Sequence, residues 1–302
     1  MLVAPGGTGK SSLVRRWLEG MKRRRWDGAV RVFGWSFYSQ GTAEDRQASE
    51  EPFFAAAQAF FGVTLDATAS VWTKAAALAK VLQTQRTLLI LDGLEPLQYP
   101  PGPMAGELKA PGVQALLKAL VQNGQPGLCV ITTREAVGEL AGHVRNRDHP
   151  HGSVRQIDLG NLCAVDGARL LHRIGVQKAG QAAISDDDAE LLKASEAAQS
   201  HALTLRILGL YLARAHHGDV RRWKDINFAA ADRRHDKKPG RDYGHAFIAM
   251  QAYEHWLANA DDDPEYHRQQ LAVLRLLGLF DRPATPDCLR ALLRAPVIDG
   301  LT

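Results

Sequence analysis

Apolar residues fall in two rhythms along this chain, and the rhythm changes once. Up to about residue 159, short apolar runs alternate with amphipathic stretches. Residues 2–4 read as a stub of strand, 5–9 as a Gly-rich turn and 11–21 as a helix. Leu13, Val14, Trp17, Leu18 and Met21 share one face of that helix at three-to-four spacing. "AVRVFGWSFYS" (29–39) is rich in β-branched and aromatic residues and predicts a second strand. Residues 51–62 and 69–83 are helical in pattern, the first stopped by Gly62. "RTLLILDGLEP" (86–96) is a near-continuous apolar run ending in an acid, as in a parallel strand buried on both faces. A helix over 113–124 and strands over 127–135 and 153–160 complete the series. Strands alternating with helices predict βαβ units, a parallel sheet and an α/β fold.

Beyond that point only helical periodicity remains. "CAVDGARLLHRIG", "SDDDAELLKASEAA" and "HALTLRILGLYLARAH" each carry an apolar stripe, and Ser185 with Asp186, Asp187 and Asp188 offers an N-cap. Residues 231–244 are charged and punctuated by Gly and Pro, the composition of a mobile loop. Residues 267–293 begin another helical unit.

Composition narrows the partners. The 302 residues leave room for two domains and a third small one, with 45% hydrophobic and 23% charged residues, ordinary for a globular protein. Thirty-seven Lys and Arg against thirty-three Asp and Glu give a net charge of +4, too small an excess to argue for nucleic acid as a partner. Cys129, Cys163 and Cys288 lack metal-ligand spacing and suit reduced thiols. No apolar run reaches bilayer length, and Pro5 and Gly6 interrupt any signal-like start. A soluble, cytoplasmic protein without a membrane partner is expected.

The turn at the N-terminus carries the first chemistry. A Gly-rich turn between strand and helix gathers backbone N–H groups at the positive end of a helix dipole, and both favour phosphate. Gly6, Gly7 and Gly9 let the backbone approach a ligand, with Thr8 between them and Ser12 following. Lys10 can reach the outer phosphates, and Ser11 can place a hydroxyl on Mg²⁺. The usual pattern has Gly at the position of Ala4, but the later glycines line the phosphates.

Two further strand ends fit the same chemistry. Asp92 closes a buried strand, where a carboxylate can hold the metal's water shell, although an Asp before Gly is also an ordinary turn residue. Glu95 can orient or deprotonate the attacking water, and is equally a plain loop carboxylate before Pro96. Arg134, after Thr132 and Thr133, can sense a γ-phosphate or be a simple surface charge. Three such tips at one sheet edge fit the rule that open α/β sheets bind ligands at strand carboxyl ends.

In combination, "GGTGKSSL", "VFGWSFYSQGTAEDRQ", "LLILDGLEPLQ", "ITTRE" and "SHALTLRILGLYL" resemble the STAND NTPases, relatives of the NB-ARC ATPases. The resemblance implies a P-loop NTPase domain over 1–159, an all-α lid over 160–262 and a partial winged helix over 263–302. It implies five strands, with the strand before Arg134 between the phosphate-loop strand and the Asp92 strand. It assigns Lys10 and Ser11 to phosphate and Mg²⁺, Asp92 to the metal, Glu95 to hydrolysis and Arg134 to sensing. His201 and Leu203 would lie near base and ribose, where Ser200 replaces the Gly usual in relatives.

The function so implied is an ATP/ADP-dependent molecular switch with slow hydrolysis, clamped by its lid in the ADP form. Its partners would be effector or adaptor and repeat sensor domains of a longer protein, and other copies of the chain in an activated homo-oligomer. The chain is accordingly expected to be a fragment or a reading frame begun late. The alternatives are a DNA-associated P-loop ATPase and a nucleotide-binding scaffold that does not hydrolyse. "KRRRW" (22–26) suits a solvated helix end, and His143, His149 and His151 suit a loop.

Overall fold

The computed structural model describes residues 1–39, 49–66, 68–178, 180, 184–230, 244–280, 284 and 286–298. Residues 231–243 of the expected loop and the "QGTAEDRQ" part of the second resemblance segment lie outside the described residues. Backbone contacts divide the chain into two compact units. One is Met1–Pro5 with Lys10–Leu159, and the other is Gly6–Gly9 with Gly160–Thr302.

The first unit is a parallel sheet with flanking helices, an α/β fold as expected. Its strands are β1 (Leu2–Val3), β2 (Arg31–Ser36), β3 (Thr87–Asp92), β4 (Leu128–Thr133) and β5 (Ile157–Asp158). They run in the order β2-β3-β4-β1-β5, every neighbouring pair parallel. The strand before Arg134 thus lies between the phosphate-loop strand and the Asp92 strand. Around the sheet lie α1 (Lys10–Arg23), α2 (Glu51–Phe61), α3 (Val71–Thr84) and α4 (Pro111–Asn123).

The apolar run of β3 explains the sheet's burial. Side chains alternate across a strand, so Leu88 and Ile90 join Val14 and Met21 of α1 on one face. Leu89 and Leu91 join Phe53, Leu78, Leu82 and Leu116 on the other. Leu89 and Leu91 are fully buried, each contributing about 1.5–3 kcal/mol of transfer free energy. Gly62 ends α2 in the left-handed region (φ 71°), and Ser70 caps α3 by accepting from Thr73 N.

β2 and β5 fall furthest short of their patterns. β2 gives way to a 3-10 turn, Phe37–Ser39, because Ser36 pairs with Asp92, the last residue of its partner. Among the described residues β5 pairs with β1 alone, and its ladder ends after two residues. Val154 instead bridges Val144.

The second unit is helical: α5 (Ala164–Ile174), α6 (Ala189–Ala197), α7 (Ala202–Ala215), α8 (Gly244–Asn259), α9 (Pro264–Gly278) and α10 (Pro286–Leu292). Its core centres on Leu171, Leu191, Leu205, Leu208, Leu212 and Ala249, all fully buried. The N-cap of α6 is Asp188, whose carboxylate accepts from Glu190 N at 2.8 Å. Ser185 instead donates to Asp187. No helix among the described residues is long and apolar enough to cross a membrane.

Candidate active site

Parallel pairing brings the strand ends to one edge. Val3 is level with Thr133 and Ser36 with Asp92. The Asp92 Oδ1 atom accepts from Ser11 Oγ at 2.8 Å and from Thr132 Oγ1 at 2.7 Å. Thr132 Oγ1 in turn accepts from Gly93 N at 2.8 Å, which fixes the turn after β3. A residue at the start of α1 thus meets Asp92, 81 positions further along the chain, and the same carboxylate oxygen accepts from Thr132 at the end of a second strand.

Lys10 is buried and turns back on its own loop, donating from Nζ to Ala4 O at 2.6 Å and Pro5 O at 3.1 Å. Its pKa lies below the ordinary lysine value, first through desolvation, which the Glu95 carboxylate partly offsets; the Arg134 charge adds to the depression. Glu95 opens a 3-10 turn, Glu95–Leu97, and its Oε1 lies 4.0 Å from Lys10 Nζ and 3.8 Å from Arg134 Nε. Its Oε2 is buried with no hydrogen bond of regular geometry. Burial, then the Glu95 charge, raises the Tyr38 phenol well above the usual tyrosine range.

The loop Gly6–Gly9 groups with the helical unit. Gly7 and Gly9 take φ of 76° and 98°, conformations that glycine adopts without strain. Leu203 N donates to Gly7 O at 3.1 Å, and His201 Nε2 lies 3.1 Å from Gly6 O. The other ring nitrogen of His201 is 3.0 Å from Thr204 Oγ1. A Cβ on Gly7 would come 2.8 Å from His201 Cε1, whereas one on Gly9 would meet nothing within 4 Å. The Gly9 backbone is therefore open to approach.

Each predicted residue can now be placed. In the sheet unit Ser11 pairs with Asp92, Lys10 and Arg134 flank Glu95, and the Asp92 charge also acts on Lys10. Ser12 is exposed on α1, and Thr8 is half-buried in the loop. His201 is buried and Leu203 half-buried, both against Gly6 and Gly7. Tyr38 and the Thr132 hydroxyl belong to the same neighbourhood, and periodicity alone gives neither a role. The available signal for Tyr38 is a polar aromatic just past the end of a strand whose neighbour ends in Asp92.

The donor set suits Mg²⁺. A hydroxyl and a carboxylate are hard oxygen donors, and Mg²⁺ is held by one or two such groups while keeping several waters. Ser11 Oγ and Asp92 Oδ1, already 2.8 Å apart, are the residues that would hold it.

No family model matches the chain, and no curated protein matches it. Many solved chains are similar to it, two of which follow. One is the Orc1 protein of Aeropyrum pernix in complex with DNA, at 19% identity, covering 96% of this chain and 69% of that one, with a TM-score of 0.38. The other is PCH-2 of C. elegans, at 16% identity, covering 77% of this chain and 60% of that one, with a TM-score of 0.41. The chain's own topology carries the fold assignment. A Gly-rich turn leads from β1 into α1, and β4 separates β1 from the acid-ending β3. This is the fold of a P-loop NTPase.

Proposed function

We propose that this chain is an ATP/ADP-binding NTPase that works as a molecular switch with slow hydrolysis. The observation that carries the reading is the 2.8 Å hydrogen bond from Ser11 to Asp92, with Lys10 beside it. Phosphate-binding and metal-binding groups from distant parts of the sequence meet there at the carboxyl ends of parallel strands.

In this reading the N–H groups of Gly7, Gly9 and their neighbours and the Lys10 ammonium hold the phosphates. Lys10 exchanges the carbonyls of Ala4 and Pro5 for phosphate oxygens, a stronger, charge-assisted pairing. Mg²⁺, held by Ser11 and Asp92, supplies charge neutralisation on the phosphates when bound. Glu95 takes the proton of the attacking water through Oε1, the oxygen that faces Lys10 and Arg134. Arg134 senses the outermost phosphate, the presence or loss of which switches the protein. The partners of the switch would be further domains and other copies of the chain.

Calorimetry with Mg²⁺ and ATP tests this. The wild type should bind, Lys10→Ala should lose binding, and Glu95→Gln should bind while hydrolysing about 100-fold or more slowly. Unchanged affinity in Lys10→Ala refutes the phosphate site. Equal turnover in Glu95→Gln removes Glu95 from the mechanism.

A further inference from the structure

We propose that Tyr38 is the positioning residue for Glu95: its phenol holds the carboxylate so that Oε1 stays directed at Lys10 and Arg134. The proposal rests on the reading of Glu95 as the base that activates water. It begins with register. Ser36 pairs with Asp92, so the chain beyond β2 runs alongside the chain beyond β3, and the turn Phe37–Ser39 packs against the turn Glu95–Leu97.

Phe37 anchors the first turn. Its ring is fully buried and lies 5.6 Å from the Phe53 ring, centroid to centroid, which fixes the backbone from which Tyr38 departs. The Tyr38 ring then lies over Gly93, where a Cβ would run into it and come 3.4 Å from Glu95 Oε2. Gly93 has φ 70°, so the turn leaves the space that the ring occupies.

The chemistry of the pair is one-sided. Glu95 Oε2 is buried, and it and the Tyr38 ring both border the space above Gly93. A phenol that senses both Glu95 and Arg134, and whose pKa is raised, remains a protonated donor throughout the working range. It can give its proton to a hydrogen bond with the carboxylate, and the cations on Oε1 complete the restraint. A carboxylate held from two sides loses little rotational freedom when water must be oriented. Without the hydroxyl the carboxylate loses the donor that restrains it on the Tyr38 side, and it is free to rotate toward solvent.

Tyr38→Phe isolates the hydroxyl, because the ring stays over Gly93. ATP affinity should remain within about twofold of wild type while single-turnover hydrolysis falls about tenfold or more. A second measurement needs no nucleotide: denaturant unfolding of the full chain carrying Tyr38→Phe, Glu95→Gln or both. Non-additive stabilities would show the two groups acting on each other. Wild-type hydrolysis in Tyr38→Phe overturns the proposal, as does a loss of affinity as large as the loss of rate. Additive stabilities overturn it too. If wild type and Lys10→Ala both fail to bind nucleotide, the phosphate-site reading fails, and the unfolding cycle alone decides whether Tyr38 holds Glu95.

Discussion

Around Ser195 in the helical unit, buried polar groups satisfy one another. The hydroxyls of Ser195 and Ser200 are 3.0 Å apart, and Ser200 N donates to Ser195 O at 2.8 Å. At the ends of β3 and β4 the arrangement differs. Glu95 keeps a buried oxygen without a regular hydrogen bond, and Lys10 bears a charge that its surroundings penalise. The first region uses polarity to fix a packing, and the second holds polar groups short of their best partners. Buried charge left in this state costs stability and is kept where a ligand completes it. Substitutions in the first region should therefore cost stability, and substitutions in the second should cost ligand affinity.

The largest expected effect sharpens the first half of that contrast. Gly167 of α5 faces Ser195, and a Cβ there would collide with Ser195 Oγ and come 2.9 Å from Leu205 Cδ1. Ser195 and Leu205 are fully buried, so neither has room to move. Gly167→Val should destabilise the chain by about 3 kcal/mol in denaturant unfolding. A variant that unfolds like wild type would mean that this cluster is not tightly packed.

Ser11→Ala probes the other region and is next in size. Ser11 is exposed, so unfolding should change by no more than about 0.5 kcal/mol. Its hydroxyl is one of the two oxygens that would hold Mg²⁺. ATP affinity in Mg²⁺ should fall about tenfold or more, with a smaller loss in excess chelator, since each tenfold corresponds to about 1.4 kcal/mol. Equal losses with and without Mg²⁺ would place the hydroxyl on phosphate rather than on metal. A loss of stability without loss of affinity would erase the distinction between the regions.

The sheet was legible above all through β3, the strand buried on both faces. An apolar run as short as residues 88–91, bounded by turn residues, suits a buried strand better than a helix, and its length fixes where the acid emerges. Lys10, Ser11 and Asp92 could be named from the same logic, since strand ends and helix starts place them. Tyr38 could not. Its role depends on the register of β2 with β3 and on the space above Gly93, and neither is local. The ends of β2 and β5 were misjudged for a related reason: a strand stops where its partner stops, whatever its own composition prefers. In the helical unit, Ser185 and Asp188 were both chemically able to cap α6. Asp188 takes the role because it directly precedes Ala189, the first residue of α6, whereas Ser185 lies too far upstream; Lys178 also holds the Asp188 carboxylate at 2.7 Å.

That cap supplies the smallest effect, and it tests whether satisfied polar groups really act through stability. Asp188 accepts from Glu190 N with Oδ1 and from Lys178 Nζ with Oδ2. Its pKa lies below the ordinary Asp value, first through the hydrogen bond to Lys178, with partial burial opposing and the backbone bond to Glu190 assisting. A carboxyl whose folded pKa is depressed binds its proton more readily in the unfolded chain. Its contribution is therefore complete above the unfolded value of about 3.9 and declines as pH falls through the lower folded value. Asp188→Ala should cost about 1 kcal/mol at neutral pH, the usual worth of such a cap. The gap between wild type and variant should narrow steadily below about pH 4. Parallel stability curves across that range would show that the carboxylate contributes no charge-dependent stability, and that the α6 cap is held by packing instead.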